Sequence, residues 1–516
     1  MAIRMTGMVS GLDTDSIVKE LVSAYSTKKE KYKKEQTKLG WKQEIWKSLN
    51  KEVNSFYKSV GNLRFDSGYN TKKTTSSDST KATVSASGNA AVGTQKLHVL
   101  STAQSGYLTG AEIKTTANEK VTTSTKLSDL GVTADEITFH VGPANNSASG
   151  TTKQIKVGKD STISDVVSQL KDAGLNANFD AGNRRFYLSS SDSGYATDFN
   201  ITASSDTNST TLLNALGLGD AAKKINGSDA VIVLNGVKYT STTNNFSVNG
   251  LSISVNGVTD KVDDLENVNV DALDDSKAVS ISTTTDTQGI YDKIKDFLTS
   301  YNNIINKMTK LYNADSAKNY EPLTDDEKSQ MSDSEVEKWE TKIKDSLLRR
   351  DSNLSTIMNA MTTSMTKAIS INGKNYSLSS FGISTLGYMN SAENEQNAYH
   401  IDGDEDDENT SGNKDKLMAA LSSDPDTVID FMKQLSTNLY TAIDKQMQSN
   451  SLRSRYSIYN DKEMTSQYTS YTKTIAEWET KISDKEDYYY KKFSKMETAL
   501  SKLNSQTSSL SGMFSS

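Results

Sequence analysis

The chain has 516 residues with no cysteine, three histidines, and 58 Lys and Arg against 65 Asp and Glu, for a net charge of −7. A disulfide framework and thiolate metal sites are excluded, and His98, His140 and His400 lie too far apart in sequence to suggest a metal or acid–base cluster. No stretch carries one sign of charge in the way that nucleic-acid or membrane-surface binding requires, and the longest purely apolar runs, such as residues 231–234, are far too short to span a bilayer.

Residues 1–10 carry Arg4 but no apolar core of the length that a secretory signal needs, so export by another route is the expectation, and the absence of thiols suits it. From residue 18 an apolar residue recurs at every seventh position: Val18, Tyr25, Tyr32, Leu39, Trp46, Val53 and Val60. An unbroken run of that length predicts a long coiled-coil helix, reaching roughly 65 Å as one rod, with Gly40 and Gly61 as places where it could bend. A second seam three residues on is apolar at Leu21, Leu49, Phe56 and Leu63 and polar at Lys28, Glu35 and Lys42. The basic run 28–34 could bind phosphate, but it reads better as the exposed face of this helix, with Tyr32 in the seam.

Between about residues 69 and 285 the texture turns to Thr, Ser, Asn and Gly with short alternating strands. Asn235-Gly236, Asn249-Gly250 and Asn256-Gly257 mark hairpins, because both residues of such a pair tolerate positive φ. One helix is expected within this β region, at 162–175, capped by Ser161 or Thr162 and stopped by Gly174. From residue 287 helical spacing returns at Ile290, Ile294, Phe297, Leu298, Tyr301, Ile304, Ile305 and Met308, again at 346–369, and from 414 onward. After Gly412 only Pro425 and Gly512 interrupt, so the last hundred residues can be nearly continuous helix. They carry the second heptad run: Tyr468, Ile475, Ile482, Tyr489, Met496, Leu503 and Leu510, with Tyr471, Trp478 and Met513 on the accompanying seam and Lys485 and Lys492 interrupting it. Helices bracket strands, so the two terminal helices should run antiparallel. Their incomplete seams should need partners.

Residues 402–408, Asp-Gly-Asp-Glu-Asp-Asp-Glu, begin as an EF-hand loop does, but Asp407 stands where glycine is required and Asn413 where a bidentate glutamate is required. A solvated loop is the better reading, and no metal or cofactor is expected. Among the conspicuous aromatics, Trp46 and Tyr489 fall on the strict heptad. Trp41, Tyr488 and Tyr490 fall off it and could face either the protein's own helices or a second partner. No phosphate loop, nucleophile elbow or carboxylate pair stands out, so no catalytic residue and no enzyme is expected.

The opening Gly11-Leu12-Asp13-Thr14-Asp15-Ser16-Ile17-Val18 resembles the N-terminal signature of the bacterial flagellar filament cap family, FliD or hook-associated protein 2. Residues 93–104, Asp296-Phe297 with Tyr301-Asn302, residues 320–355, Phe381-Gly382-Ile383, His400-Ile401-Asp402-Gly403, 421–431 and 485–510 are similar to family segments in the same order. Only about 108–219 departs freely from the pattern. The resemblance implies a multidomain α+β fold: a terminal coiled-coil leg (1–40 and 476–516, D0), a helical-bundle domain (41–72 and 286–475, D1), a β head domain (73–108 and 225–285, D2) and a variable β-rich head domain (109–224, D3). It implies a non-catalytic homo-oligomeric ring at the filament tip, with a pentamer expected although the heptads select no ring size. It also implies secretion through the flagellar type III route, and flagellin, hook–filament junction proteins and an export chaperone as partners, with no nucleic acid and no membrane. The fourteen heptad residues of the two runs would be the oligomerisation and partner-binding positions. Alternatives are a tip adhesin that binds host glycans or mucin through its β head, and another hook-associated or flagellin-like protein.

Overall fold

The computed structural model describes residues 9–117, 120–144 and 151–514. Its helices in chain order are α1 (Thr14–Asn62), α2 (Ile163–Asp172), α3 (Thr207–Ala215), α4 (Thr287–Asn313), α5 (Asp325–Ser329), α6 (Asp333–Ser346), α7 (Ser352–Met365), α8 (Lys416–Ser423), α9 (Pro425–Gln446) and α10 (Asp461–Phe514). They divide between two compact units, Asn70–Asp286 and the remainder formed by Met1–Tyr69 with Thr287–Ser516. No helix among the described residues is long and apolar enough to cross a membrane. The fold is α+β and multidomain.

In the helical unit α1 is one unbroken helix of 49 residues, roughly 74 Å long. Gly40 and Gly61 stay inside it. The rings of Tyr468 and Tyr440 lie over them, 3.6 and 3.3 Å from where a Cβ would sit, so each glycine accommodates a close tyrosine rather than a bend. The second half of α1 enters the core. Trp46, Leu49, Val53, Phe56 and Val60 are buried with the apolar face of α4 (Ile294, Phe297, Tyr301, Ile305) and that of α9 (Phe431, Leu435, Leu439, Ile443). Trp46 stacks on Tyr459 at 5.2 Å, and Tyr57 stacks on Tyr440 at 4.3 Å while its hydroxyl donates to Asp444 at 2.7 Å.

The expected continuous C-terminal helix is broken over 447–460. The chain must reverse there, and Arg453 holds the reversal by donating to the Gln446 carbonyl and to the side chains of Asn353 and Asn460. The helix expected over 346–369 stops at Met365, after which residues 369–371 and 374–376 form a small hairpin.

The β-rich unit has two principal cores. A five-stranded antiparallel sheet (Lys72–Ser76, Val279–Thr285, Gly93–Ser101, Ala230–Leu234, Val237–Ser241) faces a three-stranded sheet (Asn245–Val248, Leu251–Val255, Ala82–Ala86) across Leu97, Ile232, Ile253 and Ile281. Ala230–Leu234 is buried throughout, because residues 262–273 cover the outer face of the first sheet at Leu100, Val231 and Val233. The other core, Phe139, Val166, Leu170, Phe186 and Leu212 among others, lies between a four-stranded sheet, a three-stranded sheet and the helices α2 and α3.

Asn235-Gly236 and Asn249-Gly250 form tight turns with φ of 48° and 81°, and 47° and 79°. Asn256-Gly257 is no hairpin. The chain leaves the sheet there for the covering segment, anchored by both N–H groups on the Lys81 carbonyl. α2 starts at Thr162 with a reciprocal capping box to Asp165. α3, started by the Asp206 cap, was not visible in the spacing because its apolar positions are few.

Candidate functional site

The antiparallel pair α1 and α10 joins the two ends of the chain. Asp13 caps α1, accepting from the Ser16 N–H at 3.0 Å and its hydroxyl at 2.6 Å, and Gly11 takes a φ of +70° just before it. That turn presents the N–H groups of Val9 and Ser10 to Glu497 Oε2 at 2.9 and 3.2 Å, while the Ser10 hydroxyl donates to Oε1. Further along, Tyr490 donates to Asp15 at 2.7 Å, Tyr25 meets Trp478 at 6.3 Å, Tyr32 meets Tyr471 at 6.4 Å, and Gln36 donates to Thr472 at 2.7 Å. From Ser10 with Glu497 to Tyr32 with Tyr471, positions rise along α1 as they fall along α10, which fixes one antiparallel register. The residues 11–16 thus act as a helix start whose preceding turn is clasped by a carboxylate 487 residues away. A lone glutamate in a polar helix gives no signal of such a role in sequence.

The Ser10 hydrogen bond, followed by the Val9 N–H, holds the Glu497 carboxyl below its ordinary value of 4.5, and the Ser16 hydroxyl does the same for Asp13 relative to 3.8. Both folded-state values are depressed, so the contribution of these groups is complete above the unfolded values and is lost as pH falls through the folded ones. The amide proton shifts of Val9 and Ser10 are therefore expected to titrate with a midpoint below 4.5 and to stop titrating in Glu497→Gln. A midpoint at or above that value would remove the clasp.

The heptad residues do not share one environment. Val18, Trp46, Val53 and Val60 are buried; Tyr25, Tyr32, Leu39, Ile475, Ile482, Tyr489 and Met496 are half-buried; Tyr468, Leu503 and Leu510 are exposed. Trp46, Val53 and Val60 pack inside their own chain, in the core of the helical unit. Leu503 and Leu510, 57% and 55% exposed, lie beyond Glu497, where α10 has passed the start of α1.

The accompanying seam also drifts. On α1, Val22 is buried and Leu21 exposed, and on α10 this seam is half-covered at Tyr471 and Trp478 and then one position later at Phe493 and Leu500, with Lys485 and Lys492 outside. On α10, a straight helix turns about 20° per heptad away from a strict seven-residue repeat, so the contact line moves forward by one position toward the C-terminus. Of the off-heptad aromatics, Trp41 carries the Lys344 ammonium 4.7 Å from its ring, Tyr490 bonds Asp15, and Tyr488 is exposed. Met513 lies where no side chain is described.

The basic run on α1 is not simply solvated. Lys33 pairs with Asp325 at 3.0 Å, and Lys34 with Glu327 at 3.4 Å and Glu321 at 3.8 Å, at the start of the arm formed by α5 and α6. That arm is built by two capping boxes, Thr324 with Glu327 and Ser332 with Glu335, and by Trp339 donating to the Glu321 carbonyl at 2.8 Å. Lys19, Lys34, Glu321, Thr324 and Glu486 help to line a cleft of about 670 Å³ between the leg and the arm.

The acidic loop after His400 is organised by a lysine. Lys295 Nζ lies 2.6 Å from both Asp404 Oδ1 and Asp406 Oδ2, and His400 Nδ1 lies 2.5 Å from Asp407 Oδ2. Burial pulls the Lys295 pKa down, but the two carboxylates outweigh it and raise it above the lysine range, so an ammonium stands where a loop cation would. Among the described residues no group of three or more His, Asp or Glu is arranged to hold a metal ion.

Sequence profiles described as the flagellar hook-associated protein 2 C-terminus and N-terminus match residues 227–505 and 10–106. The chain belongs to the flagellar hook-associated protein 2 family. A flagellar hook-associated protein 2 from Halalkalibacterium halodurans is 24% identical over 99% of this chain and 100% of its own length. Similar solved structures include the D1-D2-D3 domains of the flagellar cap protein FliD from Escherichia coli, 18% identical, covering 76% of this chain and 94% of that one with a TM-score of 0.46. FliD (HAP2) from Pseudomonas aeruginosa is 19% identical and covers 43% and 93%, with a TM-score of 0.30. The N-terminal match begins at residue 10, in the turn clasped by Glu497, and the C-terminal match ends at 505, just past that clasp.

Proposed function

We infer that this protein caps the bacterial flagellar filament: copies assemble at the filament tip outside the cell and promote the folding and insertion of arriving flagellin. The observation that carries this reading is the pair of family matches, one at each end of the chain, which together take in both helices of the leg. The family is one of structural flagellar proteins, and the role is architectural rather than catalytic. A closed ring, with five copies as the working number, export through the flagellar type III route, and contacts with hook–filament junction proteins and an export chaperone complete the proposal.

The four-part division into leg, helical domain and two heads is part of the same reading. Two separate apolar cores within 70–286, and a helical core that begins only at Trp46, support it. The leg contacts to flagellin are assigned to the half-covered seam and to the uncovered end of α10 at Leu503 and Leu510.

A strain lacking the protein is expected to shed unpolymerised flagellin and make short filaments, with full-length filaments and swimming restored by the intact chain. A chain shortened to residues 41–475 should be folded when purified, yet fail to support elongation when added to growing filaments. Normal filaments in the deletion strain would overturn the reading.

A further inference from the structure

The basic run of α1, residues 28–34, has five lysines to one glutamate, and residues 321–327 at the start of the arm carry four carboxylates and no base. The fold sets the two runs against each other. Lys33 reaches Asp325 at 3.0 Å, and Lys34 reaches Glu327 at 3.4 Å and Glu321 at 3.8 Å. Further along α1 the Lys344 ammonium lies 4.7 Å from the Trp41 ring. Thr27, Lys34 and Trp41 repeat seven apart, two positions after Tyr25, Tyr32 and Leu39, which places them about 200° round the helix from the seam toward α10. This part of α1 is thus held by α10 on one side and by the arm on the other.

The two holds differ in kind. No residue of 320–346 belongs to the apolar core of the helical unit. The arm is folded by its own contacts: its two capping boxes, Tyr320 against Trp339 with ring centroids 4.6 Å apart, Trp339 on the Glu321 carbonyl, and Lys328 with Glu340 at 2.7 Å. Opposite it, α1 offers Ser23, Ser26, Thr27 and Glu30 to the intervening cleft. The side chains of Asp325, Glu321 and Glu327 are 87%, 61% and 49% exposed, and ion pairs of such exposure are weak and screened by salt. The Lys33 pair lies roughly 20 Å beyond Trp46 along α1, where the leg has left the core. A prefolded element is therefore fastened to the leg by charges that added salt weakens, whereas the seam toward α10 is aromatic and the core at Trp46 apolar.

We propose that the arm is a salt-released latch on the leg: closed, its carboxylates at 321–327 hold α1 at Lys33 and Lys34, and open, it swings off α1 and frees the leg as far as Lys42. Lys42 stays in place because its partner Asp351, at 2.8 Å, is largely enclosed and also caps α7. The root of the arm stays in place because Ile343 and Leu348 are buried. Marginal strength suits a latch. A contact made of a few exposed pairs keeps its closed and open states close in free energy, which a packed core does not. The capping reading gives the latch its use, a leg that gives way as each subunit arrives, but the latch itself rests on the geometry of the single chain.

The test uses the full chain, whose lack of cysteine lets Ala24→Cys on the leg and Gln330→Cys on the arm, both at exposed positions, take one spin label each. Electron resonance distance measurements should show one short label separation at about 0.01 M salt and a second, longer one whose share rises at least about fivefold toward 1 M, as the screening length falls from roughly 30 to 3 Å. Lys33→Glu with Lys34→Glu should raise the ratio of open to closed arm about tenfold or more at low salt, with helix content by circular dichroism unchanged. Adding Asp325→Lys to Lys33→Glu should return that single variant to within about twofold of the parent, since the pair is then opposite in charge again. Lys47→Glu, the same charge change at an exposed lysine of α1 with no ion pair among the described residues, should leave the ratio within about twofold. A parent chain whose label separation does not respond to salt, an arm already open at low salt, or a reversal that Asp325→Lys does not rescue overturns the latch. The salt response needs no charge variant, so the test stands even where a substitution unfolds the arm. Filament lengths in the deletion strain read capping separately, and a latch that fails here leaves capping standing.

Discussion

Trp46→Ala is expected to destabilise the helical unit by about 3–5 kcal/mol, the range for removing a large aromatic from a close-packed core. Trp46 is fully buried, stacks on Tyr459 with the planes 7° apart, and sits where α1 passes from the leg into the core. Trp41→Ala, five residues earlier, removes a partly exposed ring whose main polar contact is the Lys344 ammonium, and should cost about 1 kcal/mol or less. Urea unfolding monitored by circular dichroism separates the two. Equal losses would mean that the core of the helical unit does not begin at Trp46. The same boundary predicts the fate of truncations: a chain starting at residue 41 keeps the apolar face of α1, whereas one starting at residue 70 removes Trp46, Leu49, Val53, Phe56 and Val60 together and should not hold its helical unit.

Leu503→Asp with Leu510→Asp is expected to change the stability of the free chain by less than about 0.5 kcal/mol, as exposed substitutions do, while severely reducing filament elongation. If both side chains become buried on assembly, about 1.5–3 kcal/mol of apolar burial is lost at each, and a desolvated carboxylate adds to the loss. Val22→Asp is the contrasting variant. Val22 is buried within the chain's own leg, so a charge there should weaken the free protein by several kcal/mol before any partner is involved. Thermal unfolding of the purified chains, set beside filament lengths in a complemented deletion strain, reads both effects. Wild-type filament lengths from the Leu503 and Leu510 variant would show that the end of α10 does not engage the filament.

What the sequence determined by itself was local. Seven-residue spacing announced α1 and α10, Ser161 or Thr162 with Gly174 bounded α2, and Asn235-Gly236 and Asn249-Gly250 turned the chain, since each depends on a few neighbouring residues and on the φ values that they tolerate. The signature at 11–18 pointed to the family without revealing its physical role, because the carboxylate that clasps it comes from the far end of the chain.

Only the tertiary structure decided which heptad residues form a leg and which a core. Val18 and Val53 have the same type and the same register, yet one lies in the leg formed by α1 and α10 and the other in the core shared with α4 and α9. Tertiary structure also moved the contact line from Leu21 to Val22, left Leu503 and Leu510 uncovered beyond the start of α1, gave Lys33, Lys34 and Lys295 their carboxylates, and set the reversal at 447–460. The physical reason is common to all of these. Periodicity specifies which side of a helix is apolar, but what covers that side depends on where a second helix starts and ends and on the relative register of the two. That register is set by contacts between residues hundreds of positions apart, to which a local pattern is blind.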